Sequence, residues 1–88
     1  MIQVYTQDNC PACKVTVRML NQHQVQYEDI NISHNPKAKQ YLLNQGWKGT
    51  PVVNNNGQWF SGFRPDRLNE ILYENAHHQQ HPQRAMSR

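Results

Sequence analysis

Ile2 and Val4 alternate with Gln3 and Tyr5, the two-residue period of a strand reaching Thr6. Ala12, Val15, Thr16, Met19 and Leu20 then recur at the spacing of one helical face, and Pro11 suits that helix's first turn. Residues 25–32 hold β-branched and aromatic side chains without helical spacing and predict a second strand. Asn35 followed by Pro36 reads as an N-cap and first helical residue, with Ala38, Tyr41 and Leu42 facing inward and Gly46 as the stop. Residues 51–53 and 58–61 predict two short strands around the turn-forming run Asn54-Asn55-Asn56-Gly57, hence a hairpin. Pro65 opens a last helix whose buried stripe is Leu68, Ile71 and Leu72, with an end expected near Asn75.

The order is βαβαββα. The leading βαβ unit demands a parallel pair and the hairpin adds antiparallel strands, so the fold class is α/β, a small mixed four-stranded sheet flanked by three helices. With 88 residues, of which 36% are hydrophobic, the chain can build one core and little more. The expected organisation is a single domain over residues 1–75 and a disordered tail over 76–88, where His77-His78-Gln79-Gln80-His81-Pro82 lacks periodic apolar residues. A monomer is expected.

Charge narrows the partners. The formal net charge is +3, but Lys and Arg are scattered from Lys14 to Arg88 and form no stripe that could follow a phosphate backbone. Trp59 and Phe60 also lack the basic flanks that single-strand binders combine with stacking platforms, so nucleic acid is not an expected partner. They read as strand residues, one of them facing the core. Polar Gln7, Asp8 and Asn9 follow the first strand at once, leaving no signal-peptide apolar region, and no segment reaches transmembrane length. The expected compartment is the cytoplasm, where a disulfide is usually transient and catalytic or redox-sensing, and no membrane association is expected.

That expectation bears on Cys10 and Cys13, the two cysteines of the chain. If Pro11 is the first helical residue, Cys10 is the N-cap, where unpaired backbone amides and the helix dipole favour a thiolate. Cys10 is then the attacking sulfur. Cys13, one turn on, can reach back to form a disulfide and is expected to be the more buried, resolving thiol. Two other readings stay open: half of a zinc site completed by His77, His78 or His81, and two cysteines merely buried in a helix. Lys14 is assigned no role.

The residues resemble the glutaredoxin-like NrdH redoxins of the thioredoxin superfamily. The resemblance runs from Val4-Tyr5-Thr6 through Cys10-Pro11-Ala12-Cys13 and Thr50-Pro51-Val52-Val53 to about Glu74. Its most specific carrier is Trp59-Phe60-Ser61-Gly62-Phe63-Arg64-Pro65-Asp66, which repeats the family's Trp-Ser-Gly-Phe-Arg-Pro stretch with Phe60 inserted. The resemblance implies a thioredoxin/glutaredoxin-like fold in which Pro51 is cis beside the disulfide and the Thr50 backbone is free to pair with a substrate. It implies catalysis by Cys10 and Cys13, with Thr50, Pro51, Phe63 and Arg64 shaping the substrate surface. It also implies an electron donor to class Ib ribonucleotide reductase, reduced by thioredoxin reductase from NADPH, with no metal or organic cofactor. The alternative is a glutathione-dependent dithiol glutaredoxin acting as a general protein disulfide reductase. Against it, Gln7-Asp8-Asn9 supplies no Lys before Cys10, and Ser61-Gly62-Phe63 replaces the Gly-Gly turn that helps hold glutathione.

Overall fold

Four strands and three α-helices follow one another as the periodicities predict. The structure, a computed structural model, describes residues 1–83, and side chains through residue 76. The elements are β1 (Ile2–Thr6), α1 (Pro11–Gln22), β2 (Tyr27–Asn31), α2 (Pro36–Asn44), β3 (Val52–Asn55), β4 (Gln58–Ser61) and α3 (Pro65–Gln83). The sheet order is β2-β1-β3-β4, with β1 parallel to β2 and antiparallel to β3, and β3 antiparallel to β4.

Alternation along these strands divides the apolar residues between two faces. Val4 and Val53 of the central strands and Phe60 of β4 face Leu20, Leu68 and Ile71, so α1 and α3 cover one side of the sheet. Tyr5 and Val52 face the other side, where α2 contributes Leu42, and Trp47 and Trp59 pack against the cluster. Phe60 is thus the core ring of the Trp59–Phe60 pair, and Trp59 lies on the α2 side.

Local chemistry fixes the boundaries. Asn35 caps α2 by accepting a hydrogen bond from the Ala38 N–H at 3.1 Å. Gly46 ends the helix at φ +92°, letting the Trp47 N–H donate to the Leu42 carbonyl at 3.0 Å. Asn54 and Asn55 belong to β3 rather than to the turn. Asn56 and Gly57, at φ 53° and 99°, make a two-residue connection, and the Asn54 side chain accepts from the Gly57 N–H at 2.7 Å.

Three expectations are corrected. The second strand is shorter than residues 25–32: Val25 donates its N–H to the Leu20 carbonyl at the end of α1, and Ile32 begins a 3₁₀ turn (Ile32–His34). The buried stripe of α1 is Cys13, Thr16 and Leu20, while Val15 is 41% exposed. Thr16 and Leu20 belong to the predicted face, and Cys13 takes the buried place that the prediction gave to Val15. Helix α3 continues through Gln83 instead of ending near Asn75, past the start of the tail expected over residues 76–88. Ala76, Gln79 and Gln80 are good helix formers that extend an already nucleated helix without needing an apolar stripe. The remainder of that expectation, on residues 84–88, lies outside the described residues.

Candidate functional site

The site is built where β1 gives way to α1. Asn9, in the left-handed region at φ 59°, turns the chain so that Cys10 (φ −118°, ψ 98°) caps α1, with Pro11 at the helix start. The Cys10 sulfur accepts the Cys13 N–H at 3.2 Å, and the Cys10 carbonyl accepts from the Lys14 N–H at 3.1 Å. Cys10 and Cys13 are joined as a disulfide with their Cα atoms 5.2 Å apart. Both are buried, Cys10 at 7% and Cys13 at 3% exposure, the order expected from their places at and within the helix.

The loop before Cys10 is tied to the 3₁₀ turn. The Asp8 N–H donates to Ser33 Oγ at 3.0 Å, Asn31 Nδ2 donates to Asp8 Oδ1 at 3.1 Å, and His34 Nε2 lies 3.0 Å from Asp8 Oδ2. Each contact is exposed and individually weak, but together they restrain the chain just ahead of the attacking sulfur. Sequence reasoning missed this tie, which joins residues 23 and 25 positions apart.

Across the disulfide stands the segment between α2 and β3. The Thr50–Pro51 peptide is cis, as the resemblance implies. Thr50 Oγ1 donates toward Cys10 Sγ at 3.5 Å, and the Thr50 carbonyl oxygen lies 3.7 Å from the same sulfur. The Pro51 carbonyl accepts the Gly62 N–H at 2.8 Å, with Gly62 at φ +81°, a conformation that favours glycine. Gly62 thereby fixes the segment facing the disulfide, a role the sequence motif hinted at only by its Gly.

Phe63 follows Gly62 and is 40% exposed. Arg64 is committed to Asp66: its Nε and Nη2 donate to the two carboxylate oxygens at 3.2 and 3.0 Å. This pairing lowers the Asp66 carboxyl below its ordinary range and raises the Arg64 guanidinium. The structure thus brings Cys10, Cys13, Thr50 and Pro51 together and sets Phe63 and Arg64 on the adjoining loop.

Chemically, the arrangement is a reversible dithiol. A thiolate released at Cys10 meets the Cys13 N–H, the Thr50 hydroxyl and the positive end of α1. Hydrogen bonds to a charged group contribute about 1.5–3 kcal/mol each, so these donors favour departure of the Cys10 sulfur as an anion. Among the described residues no three His, Cys, Asp or Glu side chains are grouped to hold a metal ion. The zinc reading needs His77, His78 or His81, whose side chains lie outside the described residues.

Residues 2–60 match the glutaredoxin family model. The chain is 32% identical over 71 residues to the glutaredoxin-like protein NrdH of Lactococcus lactis subsp. lactis strain IL1403, covering 81% of this chain and 99% of that protein. It is 36% identical over 70 residues to the glutaredoxin-like protein NrdH of Escherichia coli strain K12, covering 80% and 86%. The solved structure of the glutaredoxin-like NrdH-redoxin from Escherichia coli superimposes with a TM-score of 0.75 at 36% identity, covering 78% of this chain and 91% of that one.

Proposed function

The chain belongs to the glutaredoxin family, among its glutaredoxin-like NrdH members, and is a thiol–disulfide oxidoreductase of the thioredoxin/glutaredoxin-like fold; from that premise we propose that it carries electrons from thioredoxin reductase to class Ib ribonucleotide reductase in the cytoplasm. The reversible Cys10–Cys13 disulfide is the redox group, and the electrons come ultimately from NADPH with no metal or organic cofactor on this chain. The reduced form attacks a substrate disulfide with Cys10, and Cys13 then releases the reduced substrate. The Thr50 backbone and the cis Pro51 receive the substrate strand, with Phe63 and Arg64 at its edge.

The observation that carries this reading is the loop over residues 61–65. Gly62 holds the Pro51 carbonyl, and the exposed Phe63 ring follows it where a Gly-Gly turn would leave open space. That ring stands in place of the Gly-Gly turn that helps hold glutathione and offers an apolar contact to a protein. The Escherichia coli relative, which has a thioredoxin-like activity profile, supports the same choice.

The test is NADPH consumption by the oxidised protein, with thioredoxin reductase in one cuvette and glutathione plus glutathione reductase in another. The expected result is turnover with thioredoxin reductase alone, followed by support of class Ib ribonucleotide reductase. Efficient turnover with glutathione alone would overturn the reading and make this chain a glutathione-dependent dithiol glutaredoxin.

A further inference from the structure

The turn between β3 and β4 holds chemistry that the thiol site does not use. Asn56 is the one asparagine of the chain followed by glycine, and both residues are exposed. Glycine is the least hindered successor for an asparagine, because its main-chain nitrogen can approach the preceding side-chain amide carbon without a Cβ in the way. A Cβ built on Gly57 would meet nothing within 4 Å, so no neighbouring element covers the tip. Other asparagines lack this combination. Asn54 and Asn55 lie in β3 and precede residues with side chains, and Asn35 precedes Pro36, whose nitrogen carries no hydrogen.

Neighbouring groups act on both reacting atoms. The Met1 main-chain nitrogen donates to Asn56 Oδ1 at 3.2 Å, which draws electrons from the amide carbon and makes it a better electrophile. Asn56 Nδ2, the nitrogen that would leave, donates to Asn55 Oδ1 at 3.4 Å. The nucleophile is restrained instead. The Gly57 N–H donates to Asn54 Oδ1 at 2.7 Å, and Asn54 is itself oriented by its Nδ2, which donates to Gln3 Oε1 at 3.2 Å. The Gly57 nitrogen must give up this bond and its proton before it can attack.

We infer that Asn56 is a self-modification site: the chain converts it to isoaspartate and aspartate through a succinimide formed on the Gly57 nitrogen, at a rate that Asn54 holds down. Solvent base takes the Gly57 N–H proton, the nitrogen attacks Asn56 Cγ, and the succinimide ring closes. The Cγ–Nδ2 bond breaks and Nδ2 leaves as ammonia. Water then opens the ring at one of its two carbonyls, giving aspartate or, where the main-chain carbonyl is attacked, isoaspartate. Nothing is oxidised or reduced, and water is the co-reactant. Isoaspartate adds a methylene to the main chain of a two-residue connection whose fit to the flanking strands depends on its length. The 4 residues of β3 separate this turn from Pro51, so the chemistry at Cys10 continues unchanged.

The test ages the full-length oxidised protein at physiological temperature, at neutral and at mildly alkaline pH, and maps amide-to-acid conversion by peptide mass spectrometry. Isoaspartate is counted by methyl transfer from S-adenosylmethionine, with a protein-isoaspartate carboxyl methyltransferase as the probe. Conversion should appear at Asn56 ahead of every other asparagine, should speed up with pH, and should yield methyl-accepting protein. Asn56→Gly, which suits the positive φ, should lose the methyl acceptance. Asn54→Ala should raise the rate at Asn56 by about threefold to tenfold, the effect of losing one hydrogen bond, whereas Asn54→Asp, which keeps an acceptor, should stay near the unsubstituted rate. The unsubstituted chain unfolded in urea should also convert faster than the folded chain, a comparison that needs no variant to fold. Retention of Asn56 while another asparagine converts first would overturn the site. Equal rates in folded and urea-unfolded protein, or in Asn54→Ala and the unsubstituted protein, would overturn the restraint by Asn54.

Discussion

The two faces of the sheet are held by different means. Beneath α1 and α3 the contacts are mostly aliphatic around the Phe60 ring, with Val4, Leu20, Val53 and Leu68 all at 0% exposure. Under α2, a single short helix, large rings cover what a second helix would otherwise cover. Tyr5 stacks on Trp59 and Trp59 on Trp47, with centroids 6.1 Å apart in both pairs, and Tyr41 tilts against Tyr5 and Trp59. The ring stack also holds the site. Trp47 lies three residues before Thr50, and Trp59 precedes the loop from which Gly62 reaches Pro51. The aliphatic face therefore carries most of the stability, and the aromatic face carries the geometry opposite Cys10.

The sharpest way to break this division is Leu68→Ala. Removing a fully buried Leu from α3 should destabilise the fold by about 3–5 kcal/mol, read from urea unfolding. The folded fraction should still react with a disulfide reporter at the unsubstituted rate. Trp59→Ala should lose less stability, about 2–3 kcal/mol, because the ring is only partly buried. Its folded fraction should react more slowly, because the Thr50–Pro51 segment loses its support. An unchanged rate in Trp59→Ala would remove the division of labour between the faces.

Tyr5, at the base of the stack, offers a pH test of the same face. Burial raises its phenol pKa, with the nearby Tyr41 and Glu28 adding to the rise. A folded-state value above the unfolded one means that the stabilisation is complete below about pH 10 and is lost as pH rises through the folded value. Tyr5→Phe should therefore flatten the alkaline edge of the stability curve, and an edge unmoved by that substitution would contradict the assignment.

The smallest effect is expected at the rim. The Asp66 carboxyl sits below its ordinary range because Arg64 donates to it, so its contribution is present at neutral pH and fades as pH falls below about 4. Asp66→Asn should change acid stability slightly, read by thermal unfolding across that range. The exposed pair makes any larger loss inconsistent with a rim contact.

Much of this was legible in the sequence because short periods and turn residues act locally. Pro11, Asn35-Pro36 and Gly46 mark helix ends that the structure keeps. The position of Cys10 at the start of α1 follows from Pro11 alone. On α1, Thr16 and Leu20 are buried as read, whereas Val15 is apolar in sequence but exposed, and Cys13 was considered for its chemistry and not for its packing. Long-range polar contacts left no periodic signal. The Thr6–Asp29 bond spans 23 positions, and no local rule announces it. The cis Thr50–Pro51 peptide was expected only through the family resemblance, since a proline outside such a context is more often trans.

The most direct measurement is to trap the mixed disulfide. Cys13→Ser and Cys10→Ser variants would each be incubated, reduced, with a disulfide-bonded peptide and analysed by intact mass under non-reducing conditions. Cys13→Ser should accumulate a covalent adduct through Cys10, because attack proceeds and resolution cannot, whereas Cys10→Ser should accumulate little. An adduct that forms faster on Cys13 in the Cys10→Ser variant would contradict the assignment of Cys10, at the start of α1 and opposite Thr50, as the attacking sulfur.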